Sequence, residues 1–214
     1  MTVGGDSVRL ADMFFFVALD DRSGRLRLPP KVAGLGLAGG LLGELILDER
    51  ITVAGDRVRV VSRLPLSDQL ATTVLLQLTK EITDHPVRNW LAFFARRSTE
   101  EVAGRLRAAG HIEERRSRWR SKTPVYPPTD PNFAFAPTAR LATKLRAGEP
   151  MTWVDAALCG LVAATGLDQH VLANSGAEAR DYLRHILEHL TPALHALVWH
   201  LHAAVGDAVL TFRT

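Results

Sequence analysis

Residues 34–45, GLGLAGGLLGEL, constrain this 214-residue chain more than any other stretch. Gly34, Gly36 and Gly39 satisfy G-x-G-x-x-G. A dinucleotide-binding turn of that spacing needs a buried strand before it, a helix after it and a parallel strand to complete the unit. Here Pro29 and Pro30 stand where the strand should end, and ITVAGDRVRVV downstream reads as an antiparallel hairpin. The glycines therefore lie inside a helix, expected over 31–48 and opened by the proline pair. Glycine inside a helix costs about 1 kcal/mol relative to alanine. A helix carrying Gly36, Gly39, Gly40 and Gly43 must recover that cost by close packing. The expected neighbour is the almost wholly apolar helix over 8–19, which contains MFFFVAL.

The rest of the chain reads as mainly α-helical, a single helical bundle over 8–214 after a disordered N-terminus at 1–7. The aromatic share is 7% while Arg, Ala and Leu abound, a composition that leans toward helices. After the DDRSG turn, RLRL at 25–28 alternates like a short strand. Two β-branched runs flank Ala54-Gly55-Asp56, predicting a hairpin over about 50–61. Helices are expected over 67–83, 86–95 and 99–109, with Gly110 capping the last. Residues 111 to about 133 read as a basic, then proline-rich insertion holding a second hairpin over 111–127. Four more helices are expected near 137–147, 151–165, 175–190 and 192–205.

Charge and cysteine content narrow the class. The net charge is +3 and the isoelectric point about 9.4, which permits an anionic partner without demanding one. Cys159 is the single cysteine, so no internal disulfide forms and a reducing compartment is the default. MTVGGDSVRL lacks the order of a signal peptide. The longest apolar stretch, 32–47, is broken by Glu44 and falls short of the roughly 20 residues of a membrane span. A cytoplasmic location is the expectation.

Residues 10–53 carry a resemblance. An apolar helix leads into a D-x-x-G turn, and Gly36-Leu37-Ala38-Gly39-Gly40-Leu41-Leu42-Gly43-Glu44-Leu45 follows, then Arg50-Ile51. This resembles the opening of the Golgi phosphoprotein 3 family. The later order also fits, with a V-x-x-W-L helix at 87–91 and a helix ending in Gly110. The Arg- and Ala-rich composition looks like that of a bacterial, actinobacterial-type member. The resemblance implies a mainly helical, peripherally membrane-bound protein. It implies binding of phosphatidylinositol 4-phosphate or another anionic lipid, and an adaptor role, at the inner face of a membrane. The alternative is a soluble protein–protein scaffold that keeps the fold without the lipid.

The family's pocket uses a tryptophan after the D-x-x-G turn, an arginine in the glycine-rich helix and an arginine pair three apart. The matching positions here hold Pro29, Ala38, Arg96 and Thr99. Positive charge nearby comes from Arg25, Arg27 and Lys31 on one segment and Arg96 and Arg97 on the other. Arginine forks suit phosphate; solvated surface charge is the competing reading of these five.

EERRSRWRSKTPVYPP is the most pointed basic feature. If extended, it places Arg116, Arg118, Arg120 and Lys122 on one face and Trp119 on the other, with Arg115 alongside. Each cation near an anionic bilayer contributes about 1 kcal/mol, and tryptophan prefers the headgroup zone. Membrane or homo-oligomer contact ranks first, a solvated loop second and nucleic acid last, since no stacking aromatics alternate with the basic residues. No nucleic-acid partner is expected.

Five of the eight histidines lie between 185 and 202. HILEH at 185–189 fits the H-x-x-E-H pattern of some zinc proteases. Both histidines fall opposite the stripe of Leu183, Ile186, Leu187 and Leu190, and little chain remains for a downstream acidic ligand. Neither zinc hydrolysis nor a metal is expected. Cys159, in DAALCGLVAA, reads as a small core residue rather than a nucleophile. No cofactor and no enzymatic activity are expected.

Overall fold

The computed structural model describes residues 8–81, 85–113 and 124–210. Among them run ten helices and one small sheet: α1 Leu10–Ala18, α2 Pro30–Leu47, β1 Ile51–Ala54, β2 Arg57–Val60, α3 Gln69–Lys80, α4 Val87–Ala95, α5 Ser98–Ala108, α6 Pro131–Ala147, α7 Trp153–Thr165, α8 Asp168–Val171, α9 Ala177–Glu188 and α10 Pro192–Leu210. The chain is mainly α-helical, as its composition implied.

The glycine-rich helix is the axis of the bundle. α2 packs against α1, α3, α4, α5, α7 and α10. Residues 32–45 are all buried. A methyl group on Gly40 would sit 2.8 Å from the Ala11 Cα, and one on Gly34 would sit 2.4 Å from the Ala95 carbonyl oxygen. At these two positions backbone meets helix, and only a missing Cβ allows the approach. Gly36 and Gly43 admit the Phe14 and Leu10 side chains in the same way, at 2.3 and 2.6 Å from an added carbon. MFFFVAL is thus the predicted neighbour, and Phe14, Phe15 and Phe16 are wholly buried. α2 has the length and hydropathy to cross a membrane, but 78% of it is buried inside the bundle. It is a core helix.

The hairpin over 50–61 forms as read. Ile51 pairs with Val60, Thr52 with Arg59, Val53 with Val58 and Ala54 with Arg57. Gly55, at φ +62°, makes the turn. RLRL is less than a strand: only Leu26 bridges, to Leu19, flanked by the Asp20 N–H to Arg25 carbonyl bond at 2.8 Å. Of the hairpin expected over 111–127, residues 114–123 lie outside the described residues; on their flanks Ile112 bridges Pro128 and the Glu113 N–H donates to the Pro127 carbonyl at 2.9 Å.

α6 begins at Pro131, six residues before the expected start, and overruns the region read as insertion. Pro131 supplies a preset first turn, and the Asp130 carboxylate accepts the Asn132 N–H at 2.9 Å. Pro137 lies inside the helix rather than opening it. α8, one turn long, gave no periodic signal.

A buried charge cluster clamps four helices together. Arg105 of α5 donates to Asp12 (2.9 Å) on α1, to both Glu44 oxygens (2.8 and 3.1 Å) on α2, and to Asp68 (3.0 Å), which itself caps α3. Glu44 also accepts from the Ala11 N–H at 2.9 Å and from Arg9 at 3.0 Å. Burial pushes the Asp12 carboxyl up, Arg105 pulls it down and Glu44 pushes it up, leaving it at about 6. A second clamp holds Asp155 between Arg140 (2.9 Å) and Lys144 (2.8 Å). Burial there raises the Asp155 carboxyl, but the two cations outweigh it and hold it below the usual range.

Candidate anion-binding pocket

The site begins at the turn after α1. The Asp20 carboxylate accepts from the Ser23 N–H and hydroxyl, each at 2.8 Å, and Gly24 at φ +64° reverses the chain. Arg25 to Leu28 then run back to the proline pair that opens α2. On the other side, α4 turns into α5 through Arg96 and Arg97. The buried Ser98 hydroxyl donates to the Gly34 carbonyl at 2.8 Å and ties this corner to α2. The absence of a side chain at Gly34 lets the corner come that close.

Between these walls lies a cavity of about 570 Å³. Leu26, Leu28, Ala33, Ala95, Ala103 and Tyr126 give it an apolar lining, and Arg25, Arg96, Thr99 and Glu100 supply polar groups. Pro30 and Thr99 bring the first turns of α2 and α5 to the cavity. Helix N-termini carry partial positive charge and suit anions. Tyr126 is fixed from behind, its N–H donating to the Gly24 carbonyl at 2.7 Å and its ring lying edge-on to Phe15 at 5.2 Å.

Of the five arginine and lysine candidates, two meet here. Arg25 and Arg96 line the cavity and are exposed. Among the described residues neither guanidinium enters an ion pair. Arg27 turns away, pairing with Asp20 at 2.7 Å and Asp21 at 3.1 Å, and lines a separate cavity near His170. Arg97 pairs with Glu101 at 3.3 Å. Lys31 is exposed in the first turn of α2, outside the lining. Pro29 adjoins the lining Pro30, Thr99 lines the cavity, and Ala38 is fully buried.

Arg115, Arg116, Arg118, Trp119, Arg120 and Lys122 lie outside the described residues. Pro124, just after this segment, lines the cavity. Tyr126 was not singled out from the sequence; its place in a proline-rich run carried no periodicity to mark it. Cys159 is wholly buried, and burial, with Asp155, pushes its thiol up to about 12. It is a core thiol with no nucleophilic character near neutral pH.

Fold and site together define a class: a helical domain wound around a glycine-packed central helix, with a basic-rimmed cleft where two helix N-termini converge. The family model described as Golgi phosphoprotein 3 (GPP34) matches residues 10–208, and the chain belongs to that family. No curated protein matches it.

Proposed function

We propose that this chain is a peripheral membrane protein that takes the phosphate of an anionic lipid in the cleft, with total surface charge governing affinity more than headgroup identity. One observation carries the reading: Arg25 and Arg96, exposed and outside any ion pair among the described residues, rim a cavity with an apolar floor between the first turns of α2 and α5. Two arginine forks attract phosphate. They do not by themselves fix a particular headgroup, because Pro29 and Ala38 offer neither an indole nor a charge where the family has both. The basic segment with Trp119 supplies the second contact, laid on the bilayer or against another copy. Its cations each contribute about 1 kcal/mol near an anionic surface. Such a protein works as an adaptor on the inner, cytoplasmic face of a membrane.

The second reading, a soluble scaffold, draws on α10. Its outward side exposes Trp199, Val209 and Leu210, an apolar stripe that suits a protein partner.

Sedimentation with liposomes separates the two. The vesicles are matched in total charge but differ in headgroup, phosphatidylserine against phosphatidylinositol 4-phosphate, at low and moderate salt. Binding is expected to track charge and to weaken with salt, since surface attraction decays over about 8 Å at physiological ionic strength. Arg25→Ser with Arg96→Ser, and separately serine at Arg116, Arg118, Arg120 and Lys122, should each strip most of the binding while circular dichroism is unchanged. Salt-resistant preference for the 4-phosphate lipid refutes the charge-led reading. No binding to any vesicle favours the scaffold.

A further inference from the structure

α9 ends in an arrangement the lipid reading does not use. His185, Glu188 and His189 occupy one exposed face, at i, i+3 and i+4, and one ligand atom from each lies within 4.8 Å of the others. Two imidazoles and a carboxylate are the donor set of several open zinc sites, with water completing the shell. Tetrahedral ligands at about 2.1 Å from zinc stand about 3.4 Å apart. Modest rotations of three solvent-facing side chains close that gap.

Two features prepare the site. The His189 Nδ1 lies 2.8 Å from the His185 carbonyl oxygen. A carbonyl only accepts, so Nδ1 is the donor and Nε2 is the ring nitrogen available to a metal. Such a bond to the second ring nitrogen is what orients metal-binding histidines. His185 in turn is flanked by Tyr182, near-parallel at 6.2 Å between ring centroids, and the Tyr182 hydroxyl is anchored to the Glu149 carbonyl at 2.8 Å. The imidazoles already stand 4.1 Å apart, centroid to centroid. The group also sits at the C-terminal end of its helix, where the carbonyls favour a cation.

We propose that His185, Glu188 and His189 form a surface binding site for a divalent late transition-metal ion of the zinc type. A protease needs a further, acidic protein ligand and an enclosed site, and these histidines lie on the polar face of α9. Binding needs neither, and the remaining positions stay open to water or to a ligand from another molecule.

The test uses untagged full-length protein. Co²⁺ is titrated while the visible d–d absorption is followed, and Zn²⁺ is then added as competitor. Saturable one-to-one binding displaced by Zn²⁺ is expected. His185→Ala or His189→Ala should weaken it by at least about 100-fold, as removal of a ligand exceeds the 10–100-fold loss of an outer partner; Glu188→Gln, which loses the charge but keeps an oxygen donor, should weaken it by about tenfold. Replacing the exposed His195 and His202 by alanine should change nothing. Absence of saturable binding below about 1 mM, a weak-binding limit of roughly 4 kcal/mol, overturns the proposal. So does binding that survives in the His185→Ala, His189→Ala double variant.

Discussion

Removing Arg105 is the sharpest test of how this fold is held. Its guanidinium makes four charge-assisted hydrogen bonds to three carboxylates on three other segments. The Asp12 and Glu44 side chains are only 8% and 2% exposed. Arg105→Met keeps most of the aliphatic volume and removes the charge. Arg9 still reaches Glu44, but Asp12 loses the one side-chain cation it pairs with among the described residues. Breaking a buried pair by deleting one partner costs about 3–5 kcal/mol, because the other charge is left uncompensated. For a chain of this size about 2–4 °C of melting temperature goes with each kcal/mol, so a fall of about 6–20 °C is expected. Urea denaturation at pH 7 gives the free energy, and a thermal melt gives the shift. Adding Asp12→Asn and Glu44→Gln to Arg105→Met should restore much of the loss, since the stranded charges go with it. The penalty should also shrink at pH 5, where Asp12 is mostly protonated even in the native protein. A loss below about 1 kcal/mol, the scale of a surface pair, would refute the view that this cluster clamps the helices.

Three further outcomes follow from named contacts. Gly39→Leu must displace Leu201 and Leu161, whose side chains would lie 2.9 and 3.1 Å from an added Cβ, and overpacking of this kind costs about 1–3 kcal/mol or more; a melting curve identical to wild type would show slack at that crossing. The Asp12 carboxyl is raised in the folded chain to about 6, so the native state holds its proton longer than the unfolded state does. Its contribution is then fully present below about pH 4 and is lost as pH rises to about 6, amounting to about 2–3 kcal/mol at about 1.4 kcal/mol per unit. Urea titrations of wild type against Asp12→Asn at pH 4, 5, 6 and 7 should show that difference, and a flat difference would count against it. Thr99→Arg adds a third cation to the cleft lining and should strengthen liposome binding several-fold at low salt; unchanged binding there means the cleft does not face the membrane.

The architecture was legible where side-chain periodicity and glycine spacing spoke together. The run from Gly34 to Gly43 could sit in a helix only if neighbours pressed against it, and MFFFVAL was apolar enough to be one of them. The hairpin at Ile51 to Val60 declared itself through β-branched residues around Gly55. α6 was read too short because residues up to about 133 looked like a proline-rich insertion; Pro131 opens the helix instead, and the single interior Pro137 removes one hydrogen bond from a helix otherwise well packed through Ala134, Leu141 and Leu145. The Arg105 cluster was invisible in one dimension. Its members are separated by up to 93 residues, and an arginine in the polar pattern of α5 looks like any solvated charge until the bundle closes around it.

The cleft shows why charge alone is a poor guide to a site. Arg25, Arg27, Lys31, Arg96 and Arg97 are close in two short segments, and nothing in their spacing separates them. Period-2 alternation would put Arg25 and Arg27 on one face, and local carboxylates separate them instead: Arg25 lines the cleft, while Arg27 is drawn to Asp20 and Asp21. A helical i, i+4 relation removes Arg97 by offering it Glu101. What remains is set by backbone, not charge: Gly34 brings the α4–α5 corner against α2, and Ser98 holds it there. The same closeness bears on Ala38, one turn further along α2 and fully buried. An arginine there would have to carry its charge out of a filled core, which is costly unless paired. Ala38 therefore belongs to the packing of this chain rather than to its cleft, and any gain in headgroup selectivity has to be built from the exposed rim, at Pro29 and Thr99.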